Sequence, residues 1–397
     1  MKNKVAVVGQ GYVGLPVALA AAASGYSVVG IDTNTDKVKN LLNGISDIED
    51  ITSEQLITYI SSGSYIASDN FIDIDNAKTI LICVPTPLSD NGIPDLCFII
   101  DATTKVGKHL TKGTLVIFES TVTTGTTRNI LVPLLESKSD LNRSDFMVGF
   151  SPERIDPLNK KWGMKNTPKL VAGLNDNDCD QAIDFYSKFV DNIIKCESIE
   201  IAETAKLLEN SFRLINISFI NEISMYCSKL NIDVNQVIKA ASTKPYGFMP
   251  FYPGLGAGGH CIPVDPIYLS DKARQIGASS RFIDLADSIN MQMPEYFVNK
   301  AEAMLGGLKG KRVLVIGVAY KSNISDIRQT PVEALIVGLK EKFAQVFWHD
   351  DLVKEWNGKK SVTLSSGYDL AILATPHDYL DLTKLGDMPI LNTRGSI

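Results

Sequence analysis

A glycine-rich turn between an apolar run and an alanine-rich run restricts the possible folds of this chain more than any other feature. Residues 4–9 (KVAVVG) predict a buried strand, residues 13–24 predict a helix, and residues 27–32 predict a second strand. The turn GQGYVG lies where the first strand ends and the helix begins, which is the context that a dinucleotide-binding fingerprint requires. The sequence therefore predicts a β-α-β unit that binds a dinucleotide.

Each glycine of this turn has a separate physical role. Gly9 permits a tight turn, Gly11 lets the backbone approach a pyrophosphate, and Gly14 lets the helix pack closely on the strand. Asp32 ends the second strand, where its carboxylate can accept hydrogen bonds from a ribose diol and repel a 2′-phosphate. We therefore expect NAD rather than NADP. A turn whose glycines serve packing alone is the alternative.

Strand-like and helical runs continue to alternate through the first half of the chain. TILICV at 79–84 and LVIFE at 115–119 predict two further strands, with helical patterns between them. This alternation is typical of a parallel sheet that is covered by helices on both faces.

The pattern becomes helical in the middle of the chain and returns to α/β near its end. Amphipathic runs at 198–230 and 281–305 predict long helices, residues 311–320 predict a new strand, a helix follows Thr330, and residues 345–351 predict another strand. We predict an α/β protein in which two Rossmann-like parallel-sheet domains are joined by a helical middle domain, with domains at 1–197, 198–305 and 306–397.

Composition excludes several classes of protein. The 397 residues are 45% hydrophobic and 21% charged, as in a soluble globular protein, and the formal net charge of −6 disfavours nucleic acid as a partner. No run reaches the roughly 18 apolar residues of a membrane span, so we expect a cytoplasmic protein without a membrane partner. The six cysteines form no C-x-x-C pair and the four histidines are scattered, so no metal site is predicted.

One cysteine stands in an unusual context. The stretch GLGAGGHCIPVD at 254–265 places four glycines before Cys261, and glycines allow a close approach to a thiol and supply backbone N–H donors. A nicotinamide enzyme needs a nucleophile when its product is an acid, because a thiol can add to an aldehyde, lose hydride and form a thioester. The fingerprint and this loop together predict a four-electron oxidation. The adjacent His260 points away in an extended segment and is not expected to form a catalytic dyad.

Such an oxidation also needs donors for an oxyanion and a carboxylate for water. Lys206 and Asn210 are spaced i, i+4 on one face of the predicted middle helix. Asp265 and Glu153 are candidate carboxylates. Without further context, a surface lysine, a solvated asparagine and two turn residues would explain the same pattern.

Two further loops carry candidate ligand-binding residues. VPTP at 84–87 ends a strand at the sheet edge where such folds bind ligands, although the pattern also fits a simple loop. In AYKSNISDIR, the charges of Lys321 and Arg328 could hold a second diphosphate and Tyr320 could stack on a base. Solvated surface charges are the alternative for this segment.

Taken together, these motifs make nearly the whole chain similar to the UDP-glucose/GDP-mannose dehydrogenase family. The anchors of the resemblance are GQGYVG at 9–14, VPTP at 84–87, STV at 120–122, SPER at 151–154, K-x-x-x-N at 206–210, GGHCIPVD at 258–265 and AYK…DIR at 319–328. The family oxidises the C6 hydroxyl of a nucleotide sugar to a carboxylate with two NAD per turnover and without release of the aldehyde.

The resemblance implies a role for each site residue. Cys261 is the nucleophile, Lys206 and Asn210 stabilise the oxyanion, and Glu153 is the general base for thioester hydrolysis. Asp265 and Thr121 position the water. The implied NAD contacts are Gly9, Gly11, Tyr12, Val13, Gly14, Asp32, Lys37, Pro85, Thr86, Thr121 and Arg328. The implied contacts to the UDP-sugar are Glu153, Arg154, Lys206, Asn210, Tyr252, Gly258, Tyr320, Lys321 and Arg394.

The segment ahead of the cysteine loop bears on the sugar. It lacks the arginine that UDP-glucose enzymes carry there, and His260 replaces their usual serine, so the chain looks most like the branch that acts on UDP-N-acetylglucosamine. UDP-N-acetylmannosamine, UDP-N-acetylgalactosamine and UDP-glucose are alternatives, as are a two-electron hydroxyacid dehydrogenase and an NAD-sensing protein without turnover. By resemblance we also expect a homodimer formed through the middle helices.

Overall fold

The computed structural model describes residues 3–48, 50–156, 158–159 and 161–395. The chain divides into two compact units, Met1–Leu208 (unit 1) and Glu209–Ile397 (unit 2). Among the described residues, no helix combines the length and the apolar character that crossing a membrane would require.

Unit 1 is built on an eight-stranded sheet. Its strands are β1 (Lys4–Val8), β2 (Ser27–Ile31), β3 (Tyr65–Ser68), β4 (Thr79–Ile82), β5 (Leu115–Phe118), β6 (Met147–Phe150), β7 (Lys169–Gly173) and β8 (Ile193–Lys195). The strand order is β3-β2-β1-β4-β5-β6-β7-β8. The six strands from β3 to β6 pair in parallel, which confirms the predicted β-α-β start and the two further strands.

One detail departs from the predicted parallel sheet, because β7 pairs antiparallel with β6 and β8 then runs parallel to β7. A parallel neighbour requires a crossover connection, usually a helix. The described part of the segment between Phe150 and Lys169 contains no helix. The chain therefore returns beside β6 in the opposite direction.

Helices cover both faces of this sheet. They are α1 (Gly14–Ala23), α2 (Thr35–Leu42), α3 (Ser53–Ser61), α4 (Cys97–Lys108), α5 (Val132–Lys138) and α6 (Asp176–Tyr186). In β1, Val5 and Val7 belong to one apolar cluster, whereas Ala6 and Val8 belong to another. Burial on both faces explains why the strand is an uninterrupted apolar run.

The long helix α7 (Ile199–Lys229) begins in unit 1 and ends in unit 2. Unit 2 continues with α8 (Val234–Ala241), α9 (Asp265–Gln275), α10 (Arg281–Leu305), β9 (Arg312–Ile316), α11 (Val332–Glu341), β10 (Gln345–His349), β11 (Glu355–Trp356), β12 (Lys359–Lys360), β13 (Leu370–Leu373) and β14 (Ile390–Asn392). Its main sheet is parallel throughout, in the order β10-β9-β13-β14. The predicted helical middle and second α/β region are therefore both present.

Candidate active site

The glycine turn of unit 1 is shaped by packing on one side and is open on the other. Gly9 has a φ of 92°, and a Cβ on it would lie 2.5 Å from the carbonyl oxygen of Cys83. A Cβ on Gly14 would lie 1.8 Å from the carbonyl oxygen of Gly9. At Gly11, apart from its chain neighbours, no described atom lies within 4 Å of the Cβ position. Since α1 begins at Gly14, the turn lies at the positive amino-terminal end of a helix, and it fits a pyrophosphate.

Asp32 follows β2 and faces this turn. Its carboxylate accepts the backbone N–H groups of Gln10 and Asn34, each at 2.9 Å, and the residue is half-buried. The carboxylate is thus held in place while part of it stays accessible. Lys37, a predicted cofactor contact, has its ammonium 2.9 Å from the carboxylate of Asp47 and 3.5 Å from the carbonyl oxygen of Gln10.

The second residue of the fingerprint has a structural role that the sequence motif did not indicate. Gln10 is fully buried; its amide donates to the carbonyl oxygen of Val7 at 2.8 Å and accepts from the hydroxyl of Tyr65 at 2.9 Å. A Cβ on Gly30 would lie 2.4 Å from this amide oxygen. Gln10 therefore joins the turn to β1, β2 and β3.

The other predicted NAD contacts of unit 1 lie in loops at the carboxyl ends of its strands. The hydroxyl of Ser120 donates to the carbonyl oxygen of Val84 at 2.7 Å, which joins the loops after β4 and β5. The predicted residues in these loops are Tyr12 and Val13 before α1, Pro85 and Thr86 after β4, and Thr121 after β5.

A buried carboxylate supports the loop that carries Thr121. Glu203 of α7 accepts the backbone N–H groups of Gly125 at 2.5 Å and Thr127 at 2.9 Å. Burial raises the pKa of Glu203 to about 7, against the lowering effect of these N–H donors. Sequence analysis missed Glu203, whose one local signal is its position three residues before Lys206 on the same helix.

Two predicted catalytic residues meet in unit 1. The ammonium of Lys206 donates to the backbone carbonyl oxygen of Glu153 at 2.6 Å. The Glu153 carboxylate accepts the N–H groups of Arg154 and Ile155, each at 2.6 Å. Arg154 itself donates to the carbonyl oxygen of Pro168 at 2.9 Å. The lysine thus contacts the main chain of Glu153 and leaves its carboxylate to other partners.

Behind Glu153 lies a cluster of buried charges. The ammonium of Lys169 is 3.2 Å from the carboxylate of Glu119 and 3.8 Å from that of Glu153, and the hydroxyl of Tyr186 donates to Glu119. Burial raises the pKa of Glu119, and this effect outweighs the lowering effect of Lys169. Burial lowers the pKa of Lys169, but Glu119 and Glu153 outweigh that effect and raise it overall. Sequence analysis did not identify Lys169, Glu119 or Tyr186.

In unit 2, Cys261 lies just before α9 and is half-buried. Its carbonyl oxygen accepts the N–H groups of Asp265 at 2.8 Å and Val264 at 3.1 Å. The amide of Asn210 donates to the carboxylate of Asp265 at 2.6 Å, and both residues are buried. Three of the predicted catalytic residues are therefore placed within one short region: Cys261 and Asp265 by a turn, and Asn210 by a side-chain contact.

The glycines before Cys261 pack against the loop that follows β9. A Cβ on Gly258 would lie 2.8 Å from Cβ of Tyr320, and a Cβ on Gly259 would lie 2.7 Å from the Tyr320 ring. The N–H of Gly259 donates to the carbonyl oxygen of Arg328 at 3.1 Å, and its φ is 83°. Close packing and backbone conformation therefore demand glycine here, and this N–H is engaged within the fold.

Two buried asparagines, which sequence analysis missed, hold the start of the same loop. Asn221 of α7 accepts the N–H of Gly254 at 2.8 Å, and Asn290 of α10 accepts the N–H of Ala257 at 2.6 Å. Polar residues at buried positions of an amphipathic helix were their only sequence signal.

The remaining predicted contacts of unit 2, to the substrate or to NAD, include two residues of the loop 320–328. Lys321 is half-buried, and the guanidinium of Arg328 pairs with the carboxylate of Asp326 at 2.6 Å. The guanidinium of Arg394 donates to the hydroxyl of Ser322 at 3.4 Å. Tyr252, from the segment ahead of the cysteine, is exposed.

Known proteins resemble the chain over almost its full length. Protein CapL of Staphylococcus aureus is 37% identical over 97% of this chain and 92% of that protein. The UDP-N-acetyl-D-glucosamine 6-dehydrogenase of Pseudomonas aeruginosa is 37% identical over 94% of this chain and 90% of that protein. The structure of a UDP-D-ManNAc dehydrogenase from Pyrococcus horikoshii superposes with a TM-score of 0.90 at 29% identity, covering 98% of this chain and 95% of that chain.

Three family models match consecutive parts of the sequence. They describe the NAD binding domain, the central domain and the UDP binding domain of the UDP-glucose/GDP-mannose dehydrogenase family, at residues 3–190, 200–292 and 314–392. The chain belongs to this family. It is therefore an NAD-dependent nucleotide-sugar dehydrogenase. This excludes the two alternatives of a two-electron hydroxyacid dehydrogenase and an NAD-sensing protein without turnover.

The three domains of the UDP-glucose/GDP-mannose dehydrogenase family contain different candidate sites. The open glycine turn and Asp32 lie in the NAD binding domain, and their shape fits NAD. Cys261 lies in the central domain, whereas Lys321 lies in the UDP binding domain.

Proposed function

We propose that this chain oxidises the C6 hydroxyl of a UDP-sugar to a carboxylate through a covalent intermediate on Cys261, with UDP-N-acetylglucosamine as the preferred substrate. The observation that carries the proposal is the position of Cys261 in the turn that leads to Asp265, whose buried carboxylate holds the Asn210 amide. An alcohol dehydrogenase that stops at the aldehyde has no use for a nucleophile. A cysteine in the same turn as a carboxylate that holds an amide is suited to form and hydrolyse a thioester.

In this mechanism the glycine turn and Asp32 would hold NAD, which would supply the hydride acceptor for each of the two oxidations. After the first oxidation, the Cys261 sulfur adds to the aldehyde carbon and a thiohemiacetal forms. Loss of the second hydride from that carbon leaves a thioester. Water then adds to the thioester carbonyl, the C–S bond breaks, and the sulfur leaves as the thiolate with the acid as product.

The chain's other residues have defined roles in these steps. Lys206 and Asn210 stabilise the oxyanion by charge and hydrogen bonding. Glu153 takes a proton from the attacking water, and Thr121 and Asp265 orient that water. Two contacts support these roles. Backbone N–H groups hold the Glu153 carboxylate, and the Asp265 carboxylate orients the Asn210 amide.

We assign the nucleotide part of the substrate to unit 2, where Lys321 and Arg394 contact the UDP-sugar and Arg328 contacts the NAD pyrophosphate. The half-buried position of Lys321 supports this assignment, since a partly desolvated ammonium binds phosphate more strongly than a solvated one. The further proposed contacts are Arg154, Tyr252, Gly258 and Tyr320.

The proposed sugar rests on His260 and on the similarity to a UDP-N-acetyl-D-glucosamine 6-dehydrogenase. The likeness to a UDP-D-ManNAc dehydrogenase structure makes UDP-N-acetylmannosamine the second candidate. UDP-N-acetylgalactosamine and UDP-glucose complete the panel to be compared.

We also propose a homodimer and the three domains 1–197, 198–305 and 306–397. Phe212, Phe219 and Tyr226 are exposed at intervals of seven residues along α7, and Phe282 and Met291 are exposed on α10. Aligned apolar side chains of this size favour burial against a second copy of the chain. Light scattering should give twice the mass of 43.3 kDa.

The decisive experiment measures NADH formed per limiting nucleotide sugar across this panel. Two NADH per sugar support the four-electron oxidation, and the sugar with the highest kcat/KM is the substrate. Cys261→Ser should still bind UDP-sugar but form no acid, whereas Cys97→Ser, which alters an exposed cysteine of α4, should retain full activity. One NADH per sugar in the wild type, or acid formation by Cys261→Ser, would overturn the thioester mechanism.

A further inference from the structure

The loop 320–328 of unit 2 is held from one side by the segment that follows β13. In this segment, Nδ1 of His377 accepts the backbone N–H of Asn323 at 2.9 Å. Nε2 of the same ring lies 3.1 Å from the carboxylate of Asp350, and His377 and Asp350 are both buried. The imidazole therefore joins the end of β10 to the loop after β9.

These contacts define the protonation of the ring. A backbone N–H can only donate, so Nδ1 must carry a lone pair and Nε2 must carry the proton. Nε2–H then donates to Asp350, whose carboxylate also accepts the N–H groups of Val318 and Leu352, each at 2.9 Å. Asp350 thus selects the tautomer of His377 that can accept from Asn323.

Asn323 is clamped at its side chain as well. Its amide donates to the carboxylate of Asp378 at 2.8 Å and accepts the N–H of Asp378 at 3.0 Å. Its φ of 67° lies in the left-handed region, a conformation that surrounding contacts must maintain. Lys321 lies two residues earlier in the same loop, and the carbonyl of Arg328 holds Gly259 at the other end.

We infer that His377 is a positioning residue for the nucleotide of the substrate, whose Nδ1 fixes the backbone of Asn323 and thereby orders the loop that presents Lys321. This inference rests on the proposed nucleotide-sugar function. The two ring nitrogens have separate roles, since Nε2–H donates to Asp350 and Nδ1 holds the loop.

Two substitutions separate these roles. In His377→Asn the side-chain oxygen takes the place of Nδ1 and can still accept from Asn323, whereas in His377→Gln the amide nitrogen takes the place of Nε2 and leaves that N–H without its acceptor. UDP alone, titrated by calorimetry, should bind to His377→Gln about tenfold more weakly than to wild type, because the partly buried N–H of Asn323 is left without its acceptor. Binding to His377→Asn should stay within about threefold of wild type. In turnover, His377→Gln should raise KM for the UDP-sugar by a larger factor than it lowers kcat.

Thermal unfolding of both variants provides the control, since UDP affinities are compared at a temperature at which wild type and both variants are folded. Equal UDP affinity of the two variants, or weaker binding by His377→Asn, would overturn the inference. If either variant does not fold, nitrogen NMR of ¹⁵N-histidine-labelled wild-type protein decides: a ring with protonated Nε2 and bare Nδ1 for His377 supports the inference, and a proton on Nδ1 overturns it. A wild-type protein that does not bind UDP would instead overturn the proposed function itself.

Discussion

In each unit, the first strand of the main sheet is followed by the same local arrangement. In unit 1, Gly9 follows β1 with a φ of 92° and donates its N–H to the carbonyl oxygen of Ile31 at 2.7 Å. In unit 2, Gly317 follows β9 with a φ of 79° and donates to the carbonyl oxygen of His349 at 2.9 Å. At each position a Cβ would collide with the end of a neighbouring strand. In both units, therefore, a glycine with positive φ turns the chain directly after the first strand of the sheet.

The difference lies in the acid that follows the second strand. Asp32 is half-buried and contacts backbone N–H groups, so a ribose diol can reach it. Asp350 occupies the corresponding place after β10, accepts the N–H of Val318 in the same way, and is buried under His377. The same backbone arrangement therefore leaves a carboxylate accessible in one unit and buries it against a histidine in the other.

Both units contain buried charged groups, and Lys169→Met in unit 1 should have the largest effect on stability. Removal of the ammonium leaves the carboxylates of Glu119 and Glu153 facing one another in a buried site, so the free energy of unfolding should fall by about 3–5 kcal/mol. Urea denaturation measures this loss. The double variant with Glu119→Gln should recover much of it.

Lys195→Met is the matched control for this loss. Lys195 pairs with Asp176 and Asp180 at the surface, so its removal should destabilise the protein far less than the removal of Lys169. Equal losses for Lys169→Met and Lys195→Met would show that the buried cluster contributes nothing special to unit 1.

Glu203 should make unit 1 less stable as the pH rises. Its pKa is about 7 in the folded protein and 4.5 ordinarily, so the folded state binds the extra proton between these values. The associated stabilisation is fully present below about pH 4.5 and is lost as the pH rises through 7, with a total of about 3 kcal/mol. Urea unfolding from pH 5 to pH 8 should show this decline in wild type and not in Glu203→Gln. Parallel pH profiles of the two proteins would contradict the assignment.

Asp350 should give unit 2 the opposite dependence. Burial raises its pKa, but the hydrogen bonds from His377, Val318 and Val353 outweigh burial and lower the pKa to about 2 from 3.8. Its stabilisation is fully present above about pH 3.8 and is lost as the pH falls through 2, with a total of about 2 kcal/mol. Asp350→Asn should remove this acid-dependent part, measured by urea unfolding between pH 5 and pH 2. The comparison fails if Asp350→Asn and wild type lose stability alike over that range.

The smallest effect concerns Asp32, and it falls on binding rather than on stability. Asp32→Ala should weaken NAD binding by about tenfold and reduce the discrimination against NADP, because the ribose loses a charged acceptor and a 2′-phosphate loses a repulsive neighbour. Fluorescence titrations with NADH and NADPH measure both changes. Asp36→Ala, which alters an exposed acid in the first turn of α2, serves as the control. If Asp32→Ala discriminates against NADP as strongly as wild type does, Asp32 does not bind the ribose. Its proposed difference in function from Asp350 would then be contradicted.

Local pattern was enough to predict much of this protein. The period of apolar residues predicted β1, α1 and β2 to within one residue at each boundary, and it also identified the long helices α7 and α10. The NAD fingerprint followed from glycine spacing next to a strand, because that chemistry depends on neighbours in sequence. The predicted α/β class and the family resemblance are confirmed. The individual site roles stay predictions.

Only the tertiary structure decided which polar groups meet across the fold. Lys169 with Glu119, His377 with Asn323, and Glu203 with Gly125 are 50, 54 and 78 residues apart in the chain. The reversal of β7 against β6 was likewise invisible in sequence. Periodicity tells which face of an element is buried, but the partner of a buried polar group depends on the element that packs there. For this protein the sequence therefore determined the elements and their chemistry, and the packing determined which charges hold that chemistry in place.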